Sequence, residues 1–226
     1  MIVLVGGEKG GVGKTTLAVN LAARRAVQSD ILLVDADKQA SANLWAGIRR
    51  EENVQPAVPC VQKHGKTLGA ELRDLAGKYA DILVDAGGRD SYELRAALTV
   101  AQVAIFPLQP SLFDAATLDV LSTLVERARA FNPQLVAGVL VNRASPNPRV
   151  SEAREAFALI ETFPNLFLME TVARDRIAYR RSVRDGLAVH ELRPLDPLAE
   201  GEMRSLFEEV FGQATAAVAE ETAHAQ

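Results

Sequence analysis

Ile2-Val3-Leu4-Val5-Gly6-Gly7-Glu8-Lys9-Gly10-Gly11-Val12-Gly13-Lys14-Thr15-Thr16 decides the fold. A short apolar run feeds a glycine-rich turn, and the turn opens a helical pattern over Thr15–Val27. Strand, glycine loop, helix is the context a phosphate-binding loop requires. Glycines let backbone N–H groups approach phosphate oxygens, and the helix N-terminus adds partial positive charge. In such a loop Lys14 reaches the β- and γ-phosphates, the Thr15 hydroxyl ligates Mg²⁺, and Thr16 supports the α-phosphate.

Outward from this loop, further runs of the same kind recur at Ile31–Val34, Ile82–Val84, Val103–Phe106 and Leu135–Val141. They are rich in Val, Ile and Leu and do not alternate with polar residues, as strands buried on both faces of a parallel sheet do. Helical patterns lie between them at Thr67–Tyr79, Tyr92–Ala101 and Leu112–Phe131. The alternation predicts an α/β fold, a three-layer α/β/α sandwich around a mostly parallel twisted sheet. Further on, Val150–Phe163 reads as helix, Leu166–Met169 as an edge strand, Arg174–Arg184 as a basic helix and Leu198–Phe211 as a final helix. Residues 1–212 form one domain on this reading, and the Ala- and Glu-rich tail 213–226 is expected to fray.

Composition narrows the classes. A single cysteine, Cys60, excludes a disulfide framework or a cysteine-rich metal site within one chain. The longest apolar stretch, Ala96–Leu108, is too short to span a bilayer, and Met1–Val5 lacks the basic leader of a signal peptide. The expected location is the cytoplasm. The net charge of −4 argues against a wholly basic nucleic-acid binder, yet Ala199–Gln226 alone holds six Glu and one Arg. The remainder is near neutral and has room for a local basic patch.

Two apolar runs end in carboxylates: Asp35 and Asp37 after Ile31–Val34, and Asp85 after Ile82–Val84, the latter followed by Ala86-Gly87-Gly88. Ligands in open α/β sheets gather at such strand ends. Arg176, Arg180 and Arg184 stand four apart, so one helix would place them on one face with Arg181 beside them. Arginines so arranged contact successive phosphates of a nucleic acid without reading bases.

Lys9-Gly10-Gly11-Val12-Gly13-Lys14-Thr15-Thr16 resembles, without a gap, the signature of the deviant Walker A, or ParA/MinD, group of P-loop ATPases. The resemblance runs from Ile2 to about Phe211 and is strongest to the short ParA-type plasmid partition proteins, with no helix-turn-helix segment ahead of the first strand. It implies ATP and Mg²⁺ as ligands and an ATP-sandwich homodimer in which Lys9 touches the partner's nucleotide. It implies that Asp35 holds the Mg²⁺ water shell, Asp85 binds Mg²⁺ through water, Asp37 orients the attacking water and Asn142 contacts adenine. It also implies non-specific DNA binding in the ATP state through Arg176, Arg180, Arg181 and Arg184, nucleoid association, and hydrolysis stimulated by a ParB-like or adaptor protein. The cargo would be a plasmid, a chromosome region or a protein cluster. A MinD-like membrane ATPase is the alternative, but it needs a basic amphipathic C-terminal helix where this chain is acidic. A dethiobiotin-synthetase-like ligase would need a substrate cluster that the sequence lacks, and an iron–sulfur relative would need more cysteines than Cys60.

Overall fold

The computed structural model describes residues 1–88, 91–112, 114–147 and 158–224, the side chains of Leu112 and of residues 213–224 excepted. Among them, seven parallel strands form one sheet: β1 Ile2–Val5, β2 Ile31–Asp35, β3 Cys60–Gln62, β4 Asp81–Asp85, β5 Val103–Leu108, β6 Val136–Ala144 and β7 Phe167–Arg174. Their order is β3-β2-β4-β1-β5-β6-β7, every pairing parallel. Helices α1 Lys14–Ala26, α2 Ser41–Glu51, α3 Leu68–Ala76, α4 Tyr92–Leu98, α5 Ala115–Arg129, α6 Ile177–Arg184 and α7 Pro197–His224 cover the two faces.

The apolar runs lack alternation because each strand serves two cores. Ile2 and Leu4 join α3, α4 and α5 residues such as Leu72, Leu98 and Leu121 on one face. Val3 and Val5 join Leu17 of α1, Trp45 of α2, Tyr179 of α6 and Met203 of α7 on the other. With both faces covered, the sheet has the sandwich arrangement that the repeated runs predict.

Several boundaries depart from expectation. β3 and α2 give no clear signal in the sequence: β3 is three residues long and half-exposed at the sheet edge. The edge strand at the other side is longer than Leu166–Met169. It runs to Arg174, and the Asp175 N–H still donates to Ala144 O at 2.9 Å. The basic helix therefore starts at Ile177, not Arg174. Of the helix expected over Val150–Phe163, the part before residue 158 lies outside the described residues, and 158–160 are helical.

One buried guanidinium fixes where the chain goes after α6. Arg49, at the end of α2 and 1% exposed, donates to Pro56 O (3.0 and 2.8 Å), to Gly186 O (3.2 Å) and to both carboxylate oxygens of Glu191 (2.8 and 2.7 Å). Trp45 Nε1 donates to Leu187 O at 3.0 Å. A side chain at Gly186, whose φ is +66°, would meet Arg49 N at 2.7 Å, so both backbone and space demand glycine there. Arg49→Ala removes the ion-pair partner of Glu191, which keeps the Ala188 N–H at 2.7 Å, and takes the guanidinium from two carbonyls. It should cost about 3–5 kcal/mol in urea unfolding. Arg49→Lys should recover little, because a point charge cannot form the fork.

Candidate nucleotide site

Three adjacent strands bring the polar residues together. In register, Val5 pairs with Asp85, and Asp85 pairs with Asp35, so the start of the glycine loop and two carboxylates share one row at the strand ends. The loop then passes through Gly11 (φ +73°) and Gly13 (φ +92°) into α1. Gly13 is the N-cap of α1. No side chain caps this helix start and its first turn has no acidic residue, so its N–H groups remain available to an anion.

Asn142, at the end of β6, holds the loop from below. Its Nδ2 donates to Val12 O at 2.6 Å, and a Cβ on Gly13 would meet that same nitrogen at 2.6 Å. In this structure Asn142 is thus a buttress of the loop. Two residues that the sequence reading did not select join it. Arg143 Nη1 donates to Gly11 O at 2.7 Å and Gln109 Nε2 to the same oxygen at 3.3 Å. Arg143 takes a left-handed φ of +54°, uncommon for a side-chain-bearing residue and invisible to pattern reading.

The two lysines of the loop have opposite surroundings. Lys14 is buried at 7% exposure and its Nζ donates to Lys9 O at 2.8 Å. Burial lowers its pKa, while Asp85 and Asp37 pull it back up. The Lys9 side chain is exposed. Val12 is buried, and Thr16 O accepts from Asn20 Nδ2 at 2.7 Å.

The carboxylates divide their work. Thr15 Oγ1 donates to Asp85 Oδ2 at 2.7 Å, and Asp85 Oδ1 is buried with no hydrogen-bond partner among the described residues. Burial pushes the Asp85 carboxyl up to about 7; Asp35 and Asp37 add to the rise, and Thr15 and Lys14 oppose it. Asp35 is fully buried. Its Oδ1 accepts from the Asp37 N–H (3.1 Å) and its Oδ2 from the Asn43 N–H (2.8 Å), so it fixes the turn between β2 and α2. Burial raises its pKa despite these bonds. Asp37 Oδ1 accepts from the Gln39 N–H at 2.9 Å.

An orphaned buried carboxylate oxygen beside a hydroxyl suits a hard cation with oxygen ligands. Among the described residues no group of three or more His, Cys, Asp and Glu could hold a metal alone. The oxygen donors of Thr15 and Asp85 suit Mg²⁺, which keeps waters and leans on substrate phosphates.

The cleft above this row encloses ≈ 670 Å³. Gly10, Gly11, Gly13, Lys14, Thr15, Thr16, Asp37 and Gly88 line it, and so do Arg143, Arg174, Arg176, Tyr179 and Arg180. The expected one-face array of Arg176, Arg180 and Arg184 needs correction. Arg176 precedes α6 with extended backbone (φ −114°, ψ 143°). Its Nε and Nη2 both donate to Glu202 Oε1, at 2.9 and 2.7 Å, and it is only 14% exposed. The cause is the continuation of β7, which keeps the chain extended past Arg174. Arg180 and Arg184 do lie one turn apart on α6, exposed, each paired with a neighbouring aspartate (Asp175 at 2.8 Å, Asp185 at 2.7 Å). Arg181 donates to Arg193 O at 3.2 Å.

Known nucleotide-binding proteins are similar to this chain in sequence and in fold. The CobQ/CobB/MinD/ParA nucleotide binding domain matches residues 3–188. The maintenance of carboxysome distribution protein A of Gloeobacter kilaueensis is 33% identical over 213 residues, which are 92% of this chain and 93% of that protein. The chromosome-partitioning ATPase Soj of Thermus thermophilus is 30% identical, with 91% of this chain and 93% of Soj covered. Among solved structures, an ATP complex of a Cyanothece McdA variant shares the fold with a TM-score of 0.75 at 17% identity, over 93% of this chain and 96% of that one. A Borrelia burgdorferi plasmid partition protein bound to AMPPNP gives 0.71 at 18% identity, over 94% and 98%.

The raised Asp85 pKa sets a pH dependence. The folded protein holds this proton up to about pH 7, whereas an unfolded aspartate releases it near pH 4. Unfolding therefore releases a proton between these values, and stability falls as pH rises through that window. Without metal or nucleotide, Asp85→Asn should melt increasingly above wild type from pH 5 to pH 8. Parallel melting curves for the two proteins would show that Asp85 carries no such penalty.

Proposed function

The chain belongs to the CobQ/CobB/MinD/ParA family of nucleotide-binding domains, and from that premise we propose that it is a ParA-type positioning ATPase. In this reading it hydrolyses MgATP, closes as an ATP-sandwich homodimer, binds DNA non-specifically in that state, and moves a plasmid, chromosome region or protein cluster. One observation carries the proposal. A single loop holds one lysine buried in the cleft and a second lysine exposed at its rim, and the backbone carbonyl of the second holds the ammonium of the first.

The uncapped N–H groups of α1 would hold triphosphate oxygens, and Lys14 would exchange the Lys9 carbonyl for them. Burial makes this exchange favourable, since a desolvated ammonium gains most from an anionic neighbour. Thr15 and Asp85 are the residues that would hold Mg²⁺, with Asp35 fixing the turn beside them. The ion supplies charge neutralisation at the β- and γ-oxygens. Asp37 orients the attacking water. Lys9 crosses to the nucleotide of the second copy, so two triphosphates join two chains. Dimer closure doubles the number of arginines facing one DNA, which raises affinity steeply without new kinds of contact. Arg180, Arg181 and Arg184 form that surface, exchanging weak surface pairs for phosphates. Arg176 stays with Glu202. A ParB-like or adaptor partner completes the site and stimulates hydrolysis. Among the described residues no helix is long and apolar enough to cross a membrane, and Glu200, Glu202, Glu208 and Glu209 make α7 a poor match for anionic lipid.

Lys14→Ala should lose ATP binding. Lys9→Ala should still bind ATP yet fail to dimerise or turn over; wild-type dimerisation by light scattering would end the sandwich reading. DNA titrations with ATP, ADP and no nucleotide, at two salt concentrations, should show binding only with ATP. Changing Arg180, Arg181 and Arg184 together to Ala should spare hydrolysis and reduce the log–log salt slope by about 3 per chain. Arg176→Ala should leave the slope unchanged. ATP-dependent binding to liposomes without DNA binding would favour the membrane alternative instead.

A further inference from the structure

β4 ends in Asp85, and the chain leaves the sheet through Ala86, Gly87 and Gly88. Neither glycine is among those with positive φ, so backbone conformation does not demand glycine at either position. Space does. A Cβ on Gly87 would lie 3.0 Å from Asp37 Cγ, 3.1 Å from its Oδ2 and 3.2 Å from its Oδ1. These are closer than ordinary van der Waals contact, which starts near 3.4 Å. A Cβ on Gly88 would meet different groups: Glu8 O at 3.1 Å, then Gly10 N and Lys14 Nζ at 3.5 Å. The two glycines thus face separate parts of the cleft, one the carboxylate and the other the phosphate loop.

The Asp37 carboxylate is held on its other side by a tight turn. The Gln39 N–H donates to Oδ1 at 2.9 Å, and the Ala40 N–H donates to Asp37 O at 2.9 Å, with Ala40 in a left-handed φ of +54°. The backbone just before Gly87 is held to the sheet, since the Ala86 N–H donates to Val5 O at 3.0 Å. A methyl group at position 87 would displace the end of the aspartate side chain, not the sheet.

We propose that Gly87 is a positioning residue for ATP hydrolysis: its bare Cα seats the Asp37 carboxylate, and a side chain there turns the carboxylate away while leaving nucleotide binding intact. Gly88 clears the adjacent space for the phosphate loop. The proposal rests on the reading of Asp37 as the residue that orients the attacking water.

The test compares Gly87→Ala, Gly88→Ala, Asp37→Ala and the Gly87→Ala/Asp37→Ala double variant in the full chain. Gly87→Ala should lower kcat by about 10- to 100-fold, with affinity for a non-hydrolysable ATP analogue within about twofold of wild type. In the nucleotide-free protein the Gln39 amide resonance should shift, since its acceptor has moved. In the Asp37→Ala background Gly87→Ala should cost nothing further. Gly88→Ala should instead weaken analogue binding, splitting the neighbouring glycines between KM and kcat. Normal turnover in Gly87→Ala with turnover lost in Asp37→Ala would overturn the role of Gly87 alone. Normal turnover in both would remove Asp37, and the reading beneath the proposal, from the mechanism. Additive losses in the double variant, or a melting temperature brought down into the assay range, would mean that the backbone yields, and would also overturn it.

Discussion

Lys14, Asp85 and Asp35 are buried together where β1, β4 and β2 end, and the rest of the site follows from that burial. Each charge is penalised where it sits: the Lys14 ammonium is pushed down in pKa and both carboxyls are pushed up. The attraction between Lys14 and Asp85 offsets only part of the desolvation, and the neighbouring carboxylate Asp35 adds to the Asp85 penalty. An ammonium short of anions and a carboxylate short of cations are relieved by opposite kinds of ion. A magnesium triphosphate brings both at once. The Asp85 oxygen with no hydrogen-bond partner among the described residues is an acceptor that a purely structural ion pair would have satisfied.

The same row organises what lies around it. Asp35 accepts the Asn43 N–H near the start of α2, and Arg49 near the end of α2 grips Gly186 and Glu191 beyond α6. Asn20 of α1 donates to Thr16 O and accepts the Val189 N–H at 2.7 Å. The segment following the arginine helix is therefore fastened to both helices that rise from nucleotide-site loops. These are buried polar bonds, costly to break singly. Hydrogen bonds and packed helices thus link the two loops to the segment that follows α6.

Much of this was legible in the sequence, for physical reasons that can be named. Runs such as Ile2–Val5 must be buried on both faces, and the glycine loop between strand and helix leaves few alternatives. Asp35, Asp37 and Asp85 stand out because ligands in open α/β sheets gather at the ends of such runs. What stayed hidden depended on tertiary contacts. β3 is too short and too exposed to carry a pattern. The guanidinium of Arg49 has no sequence signature, and its burial is set by Gly186 and Glu191, more than a hundred residues away. Arg176 misled because helical spacing assumes a helix, and the extension of β7 past Arg174 withheld one. Gly87 and Gly88 were visible as residues, but which neighbour each one accommodates is a matter of distances.

The arginines show how local pairing shapes a surface that composition alone would misjudge. Arg176 is partly buried, and its acceptor Glu202 on α7 also accepts from Tyr179 Oη of α6 at 2.9 Å and from the Arg174 N–H of β7 at 3.2 Å. Its charge is committed to the fold. Arg180 and Arg184 pair in water with aspartates nearby in sequence, and such pairs are exchanged at little cost. Spacing places three arginines in one class; the structure separates a tether from two exposed charges. For a protein whose net charge is negative, attraction to a polyanion must come from charges free to change partner. On the proposed reading, the number of such charges presented by two chains at once, and not the number of arginines in the sequence, sets how firmly the ATP state holds DNA.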